Sequence, residues 1–106
     1  MTIQLKSPII DVVVEQPDGT LVQLEVQTDN RDVVRWDLTR GRRQWPQAID
    51  APFLWSTFLA WAAMTRAGDT TDTFEDFEAH CLQAQVKKID DTAPADPTRP
   101  APASGS

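Results

Sequence analysis

The sequence has few of the residues that most catalytic and metal sites require. It contains one cysteine, one histidine and four glycines among 106 residues. A single cysteine cannot form an internal disulfide, and there is no Cys/His spacing suited to zinc, no glycine-rich phosphate loop and no G-x-S-x-G motif. His80 and Cys81 are adjacent, so on a helix their side chains would diverge by about 100°. We therefore expect that the protein is not an enzyme and binds neither a cofactor nor a metal. Cys81 should pack inward, and His80 should face water.

Positive charge and long apolar runs are also scarce. Ten Lys and Arg residues stand against sixteen Asp and Glu residues, for a net charge of −6. Binding to nucleic acid requires clustered cations, and we interpret the one cluster, Arg40, Arg42 and Arg43, as a solvated loop. No apolar stretch reaches the ~18 residues of a membrane span, and no signal-peptide pattern begins the sequence. These two absences, together with a single cysteine that cannot form an internal disulfide, predict a cytosolic protein without a membrane partner.

The most apolar segment covers residues 50–68 and is typical of a helix. Asp50 can cap its N-terminus, Pro52 suits the first turn, and Gly68 follows the last turn. Aromatic, aliphatic and alanine residues occupy nearly every face between these ends. We expect this central helix to be buried on more than one side, by its own chain or by a partner.

A β-hairpin is predicted before the central helix, over residues 9–16 and 20–27. Both segments alternate apolar and polar residues, and Pro17, Asp18 and Gly19 form a turn sequence between them. A lone hairpin is marginal in water, so one of its faces should pack against the central helix.

Two further helices complete an α+β domain, in which the hairpin is followed by a short, a long central and a C-terminal helix. The short helix should begin after Thr28 or Asp29, continue to about Leu38 and end at Gly41. A loop follows, in which Trp45 should anchor the chain to the body of the domain.

The C-terminal helix is predicted to open at Asp72 or Thr73 and to continue to Ile89. Its apolar residues form two stripes at helical spacing: Phe74, Phe77, Cys81 and Ala84, and beside them Leu82, Val86 and Ile89. The domain should therefore cover residues 1–90. The Pro- and Ala-rich segment 91–106 has no large apolar residue, and we expect it to be a disordered tail.

Four Trp and four Phe are many rings for so small a domain to bury. Exposed apolar patches mark partner sites, so some of these rings are candidates for protein binding. The candidates are Trp55, Phe58, Trp61, Phe74 and Phe77, and the sequence does not separate the core rings from the binding rings among them.

Three motifs resemble those of the tail assembly chaperones of long-tailed bacteriophages, particularly phages of actinobacteria. They are T-x-N-x-D-x-x-x-W at residues 28–36, W-A-A-M-T-R-A-G at 61–68 and T-F-E-D-F at 73–77. The resemblance implies a non-enzymatic protein of the host cytoplasm that is absent from the finished virion. It would bind the tape measure protein, keep it soluble and bring tail tube subunits to it. Self-association and a longer, frameshifted form are also implied.

Two alternatives stay open. One is a small phage structural or head-to-tail connection protein, in which the same rings form a permanent subunit interface. The other is a small enzyme or an enzyme's regulatory subunit, which the missing catalytic groups disfavour.

Overall fold

The computed structural model describes residues 5–87 of the chain. These residues form the small α+β domain that the sequence predicts, with three helices but with a three-stranded sheet in place of a lone hairpin. The predicted domain limit at residue 90 and the predicted disorder of residues 91–106 lie outside the described residues. The elements in chain order are β1 (Ile9–Glu15), β2 (Leu21–Gln27), α1 (Asn30–Arg43), α2 (Pro52–Ala67), α3 (Phe74–His80) and β3 (Cys81–Val86).

Strands β1 and β2 form the predicted antiparallel hairpin. Ile9 pairs with Gln27 at its open end, and Glu15 pairs with Leu21 beside the turn. Gly19 adopts a φ of 88° in the turn, a conformation that disfavours side chains, and its N–H donates to the Gln16 carbonyl at 2.9 Å. The predicted turn chemistry is therefore confirmed.

The prediction of a helix through residues 81–89 is wrong for its described part. α3 ends at His80, and the chain continues directly into β3, which lies antiparallel to β1 on the side opposite β2. Val12 pairs with Leu24 on one side and Ala84 on the other. The physical reason is that β1 would otherwise leave one row of backbone N–H and C=O groups unpaired, and β3 satisfies them.

Helix α1 begins where predicted and ends later than predicted. Asp29 is its N-cap, and Asp32 completes a capping box by accepting from the Asp29 N–H at 2.9 Å. The helix passes through Gly41, whose φ is not positive, and ends at Arg43, where Gln44 is the C-cap with a φ of 58°. The Trp45 N–H donates to the Arg40 carbonyl at 2.9 Å, which satisfies one of the final carbonyls of the helix.

Gly68 follows the last turn of α2 as its C-cap, with a φ of 82°, as predicted, but Asp50 does not cap the N-terminus of the helix. Ala51 occupies the cap position without a side-chain hydrogen bond. The residue before a proline is disfavoured in the helical region, so Pro52 places the helix boundary at Ala51 rather than at Asp50. The middle of α2 is buried against the sheet, α1 and α3. The expectation that this helix is covered on several sides is thus confirmed.

Candidate protein-binding surface

Four of the five predicted binding rings belong to the core. Phe58 and Phe77 are each 1% exposed, Phe74 is 4% exposed and Trp61 is 8% exposed, whereas Trp55 is half-buried. Burial of an aromatic side chain stabilises a fold by about 1.5–3 kcal/mol, so these four rings primarily hold the domain together. Among the five, Trp55 has the most accessible ring.

Three of these core rings, Phe58, Trp61 and Phe74, form one connected cluster with Trp36 and Trp45 between α1, α2 and α3. Trp45, in the loop after α1, lies 5.5–6.0 Å from the rings of Trp36, Phe58 and Phe74, which confirms that it anchors this loop. Trp61 joins the cluster through Phe58, at 5.3 Å. Its indole N–H donates to the carbonyl of Asp72 at 2.8 Å, which fixes the connector between α2 and α3.

Other large apolar side chains lie at the surface. Ile49 is 85% exposed and Phe53, in the first turn of α2, is 75% exposed. Phe53 and Leu82 line one groove of about 260 Å³, which runs between the start of α2 and β3. We name it the Phe53 groove. The sequence did not separate Phe53 from Phe58, because α2 carries apolar residues on nearly every face.

A second groove lies between α1 and the beginning of α3. Its rim carries Arg35, Arg42 and Arg43 of α1, and its volume is about 270 Å³. We name it the arginine groove. The interpretation of Arg40, Arg42 and Arg43 as part of a solvated loop is wrong, because all three belong to the last turn of α1. The buried rings of Phe58, Trp61 and Phe74 line the same groove.

Two arginines of the arginine groove make cation–π contacts with aromatic rings. The guanidinium carbon of Arg35 lies 4.5 Å from the centre of the Trp61 ring, and that of Arg43 lies 5.0 Å from the centre of the Trp45 ring. Arg43 also donates to the carboxylate of Glu75, and this hydrogen bond lowers the pKa of Glu75. The aromatic core thus positions charged groups at the surface above it.

A third cleft, of about 650 Å³, lies between the hairpin turn and the connector from α2 to α3. Glu15, Asp69, Asp72 and His80 contribute polar groups to it, and Phe77 lies at its apolar side. Nε2 of His80 lies 3.2 Å from a carboxylate oxygen of Asp72.

Cys81 lines the Phe53 groove rather than this cleft, so the adjacent His80 and Cys81 belong to different cavities. The thiol donates to the Gln83 carbonyl at 3.3 Å, and burial raises the pKa of Cys81. A less ionised thiol is a weaker nucleophile. The pair therefore lacks the geometry of a Cys–His nucleophile.

No protein-family model matches the chain, and no curated protein or solved structure is significantly similar to it. Between residues 5 and 87, no group of three or more His, Cys, Asp or Glu side chains could hold a metal ion. Within the same range, none of the helices has the length and apolar character needed to cross a membrane.

Proposed function

We propose that this protein is a phage tail assembly chaperone, which binds the tape measure protein, keeps it soluble and brings tail tube subunits to it. The three motifs at residues 28–36, 61–68 and 73–77 support this proposal by their resemblance to that family. Under this proposal the protein is not an enzyme, acts in the host cytoplasm and is absent from the finished virion. Self-association and a longer, frameshifted form belong to the same proposal.

The observation that carries the proposal is a set of bulky apolar side chains at the surface of a chain with net charge −6. A protein that escorts an aggregation-prone client needs apolar surface for the client and net charge for its own solubility. Phe53 and Leu82 supply such a surface in the Phe53 groove. Ile49, four residues before Phe53, is exposed as well.

The proposed binding surface therefore differs from the five predicted rings, since it consists of Phe53 and Leu82. Of the five, Trp55 is half-buried and stays a separate candidate: it does not line the Phe53 groove, and residues two apart on a helix do not share a face. Phe58, Trp61, Phe74 and Phe77 belong instead to the core that holds α2 and α3 in place.

Co-expression with the tape measure protein of the same phage tests the proposal. The full chain should raise the fraction of tape measure protein in the cleared lysate, and Phe53→Ser should remove most of that effect while preserving the fold. Leu21→Ser is the matched control, because Leu21 is also exposed but lies on β2, outside the Phe53 groove. Equal tape measure solubility with and without the chain would refute the proposal.

Mass spectrometry of purified virions separates the chaperone from the alternative structural role. A chaperone should be missing from mature particles, whereas a head-to-tail connection protein should be present in a fixed copy number. Detection of the chain at stoichiometric abundance would favour the structural role.

A further inference from the structure

We infer that the arginine groove is a binding site for an acidic peptide segment of a partner protein. This inference rests on the proposed function, since it assigns a second part of the surface to a protein partner. The Phe53 groove offers the exposed side chains of Phe53 and Leu82 beside polar side chains of β3, whereas the rim of the arginine groove offers three guanidinium groups.

The helical spacing of α1 brings the groove's polar side chains together. Arg35, Thr39, Arg42 and Arg43 occupy positions i, i+4, i+7 and i+8, which share one face of a helix. This arrangement depends on the continuation of α1 through Gly41, because a helix that ended there would not place Arg42 and Arg43 above Arg35.

Most of the positive charge in the groove is not neutralised. Arg43 pairs with Glu75, but neither Arg35 nor Arg42 forms an ion pair with any residue between 5 and 87. A guanidinium that lies over an indole ring, as in Arg35, loses little further freedom when it binds a carboxylate. The groove thus presents three arginines and one carboxylate on a protein of net charge −6.

The size and rim of the groove favour side chains over a small-molecule cofactor. Its volume of about 270 Å³ lies below the usual range of cofactor pockets, about 300–1,000 Å³. The rings of Phe58, Trp61 and Phe74 line the groove below the rim but are almost completely buried. A segment that alternates acidic and apolar residues therefore complements the groove mainly through its carboxylates, which match the arginines of the rim.

A protein segment is favoured over nucleic acid for electrostatic reasons. Nucleic-acid binding requires several phosphates to be neutralised at once, and long-range repulsion from a chain of net charge −6 opposes the approach of a polyanion. A short acidic segment needs only one or two carboxylate–guanidinium contacts, and Arg35 and Arg42 can supply them.

A fluorescent amphipathic peptide built from the repeat Leu-Glu-Glu-Leu tests the inference by anisotropy, with the repeat Leu-Gln-Gln-Leu as the neutral control. The full chain should bind the acidic peptide at least about tenfold more tightly than the neutral one. Arg42→Glu should weaken binding of the acidic peptide by about tenfold or more. Lys6→Glu is the matched control, because it makes the same charge change at an exposed residue outside the groove.

Circular dichroism verifies that each variant is folded, and Arg42→Gln replaces Arg42→Glu if the latter is not. The inference is overturned if both peptides bind equally, or if the Arg42 variant binds the acidic peptide as tightly as Lys6→Glu does. It is also overturned if a single-stranded oligonucleotide binds in the groove more tightly than the acidic peptide.

Co-expression with the tape measure protein distinguishes failure of this inference from failure of the proposed function. If the wild-type chain and Arg42→Glu solubilise the client equally, the arginine groove does not bind that client, and the proposed function stands. If the wild-type chain binds the acidic peptide but leaves the client insoluble, the proposed function fails and the arginine groove remains a peptide site.

Discussion

The hydroxyl of Ser56, on α2, donates a hydrogen bond to the backbone carbonyl of Ala84, on β3, with an oxygen–oxygen distance of 2.5 Å. β3 is an edge strand, and this carbonyl is not used by the pairing with β1. Unpaired edge groups invite association with other strands, and covering the edge is one of the ways in which proteins prevent it. Ser56 thus connects the central helix to the strand that completes the sheet.

Removal of this hydroxyl should destabilise the domain. Ser56→Ala leaves the buried Ala84 carbonyl without a partner, and we expect a loss of about 1–2 kcal/mol in the free energy of unfolding, reduced slightly by the better helix propensity of alanine. Urea denaturation measures the loss. The control is Thr57→Ala, because the Thr57 hydroxyl bonds only to the Phe53 carbonyl within α2. A Ser56 variant as stable as the control would contradict this role.

The second prediction concerns the buried carboxylate of Asp32. Asp32 is 2% exposed and accepts two hydrogen bonds from Arg66 of α2, at 2.8 and 3.2 Å, in addition to the Asp29 N–H. Asp32→Asn removes the negative charge and should cost about 1–3 kcal/mol. The cost is below that of a fully buried ion pair, because Arg66 remains partly exposed to water. Thermal unfolding of Asp32→Asn measures this cost. Asp37→Asn is the control, because Asp37 is an exposed carboxylate on the same helix.

The third prediction is a pH dependence at the N-cap of α1. Hydrogen bonds from Arg31 are the main cause that lowers the pKa of Asp29 from its ordinary value of 3.8 to about 2. The unfolded chain therefore binds a proton at Asp29 at a higher pH than the folded chain. Its contribution to stability is complete above about pH 4 and is lost as the pH falls toward 2.

Unfolding free energies between pH 5 and pH 2 should accordingly fall less steeply for Asp29→Asn than for the wild type, since asparagine keeps the cap without the titrating group. Glu75 and Asp18 also have lowered pKa values, and they contribute equally to the pH dependence of the free energy of unfolding in both proteins. Asp69→Asn is the control for loss of an exposed carboxylate. Parallel curves for wild type and Asp29→Asn would refute the assignment.

Local signals explain which parts of the fold could be predicted from the sequence. The hairpin follows from the turn at Gly19, and the C-terminus of α2 follows from Gly68, since both features depend on neighbouring residues only. β3 could not be predicted in this way, because its pairing depends on the open edge of β1, about 70 residues earlier in the chain. Residues 81–86 also carry apolar side chains that match a helical stripe as well as a strand.

The candidate surfaces were harder to predict for a related reason. A helix with apolar residues on nearly every face does not indicate which ring is covered, so the burial of Phe58 and the exposure of Phe53 depend on where α1, α3 and β3 pack. The arginine groove was missed because α1 was expected to end at Gly41. The spacing of Arg35, Arg42 and Arg43 is visible in the sequence once the helix is extended to Arg43.

The fourth prediction separates the two phenylalanines of α2 by experiment. Phe58→Ala should cost about 3–5 kcal/mol in the free energy of unfolding, because it opens a cavity beneath Trp36, Trp45 and Trp61. Phe53→Ala should change stability by no more than about 0.5 kcal/mol, because its ring already faces water. A large cost for Phe53→Ala would show that the domain itself covers this ring. A small cost leaves Phe53 available to a client, and only in that case can the loss of client solubility in a Phe53 variant be attributed to binding rather than to unfolding.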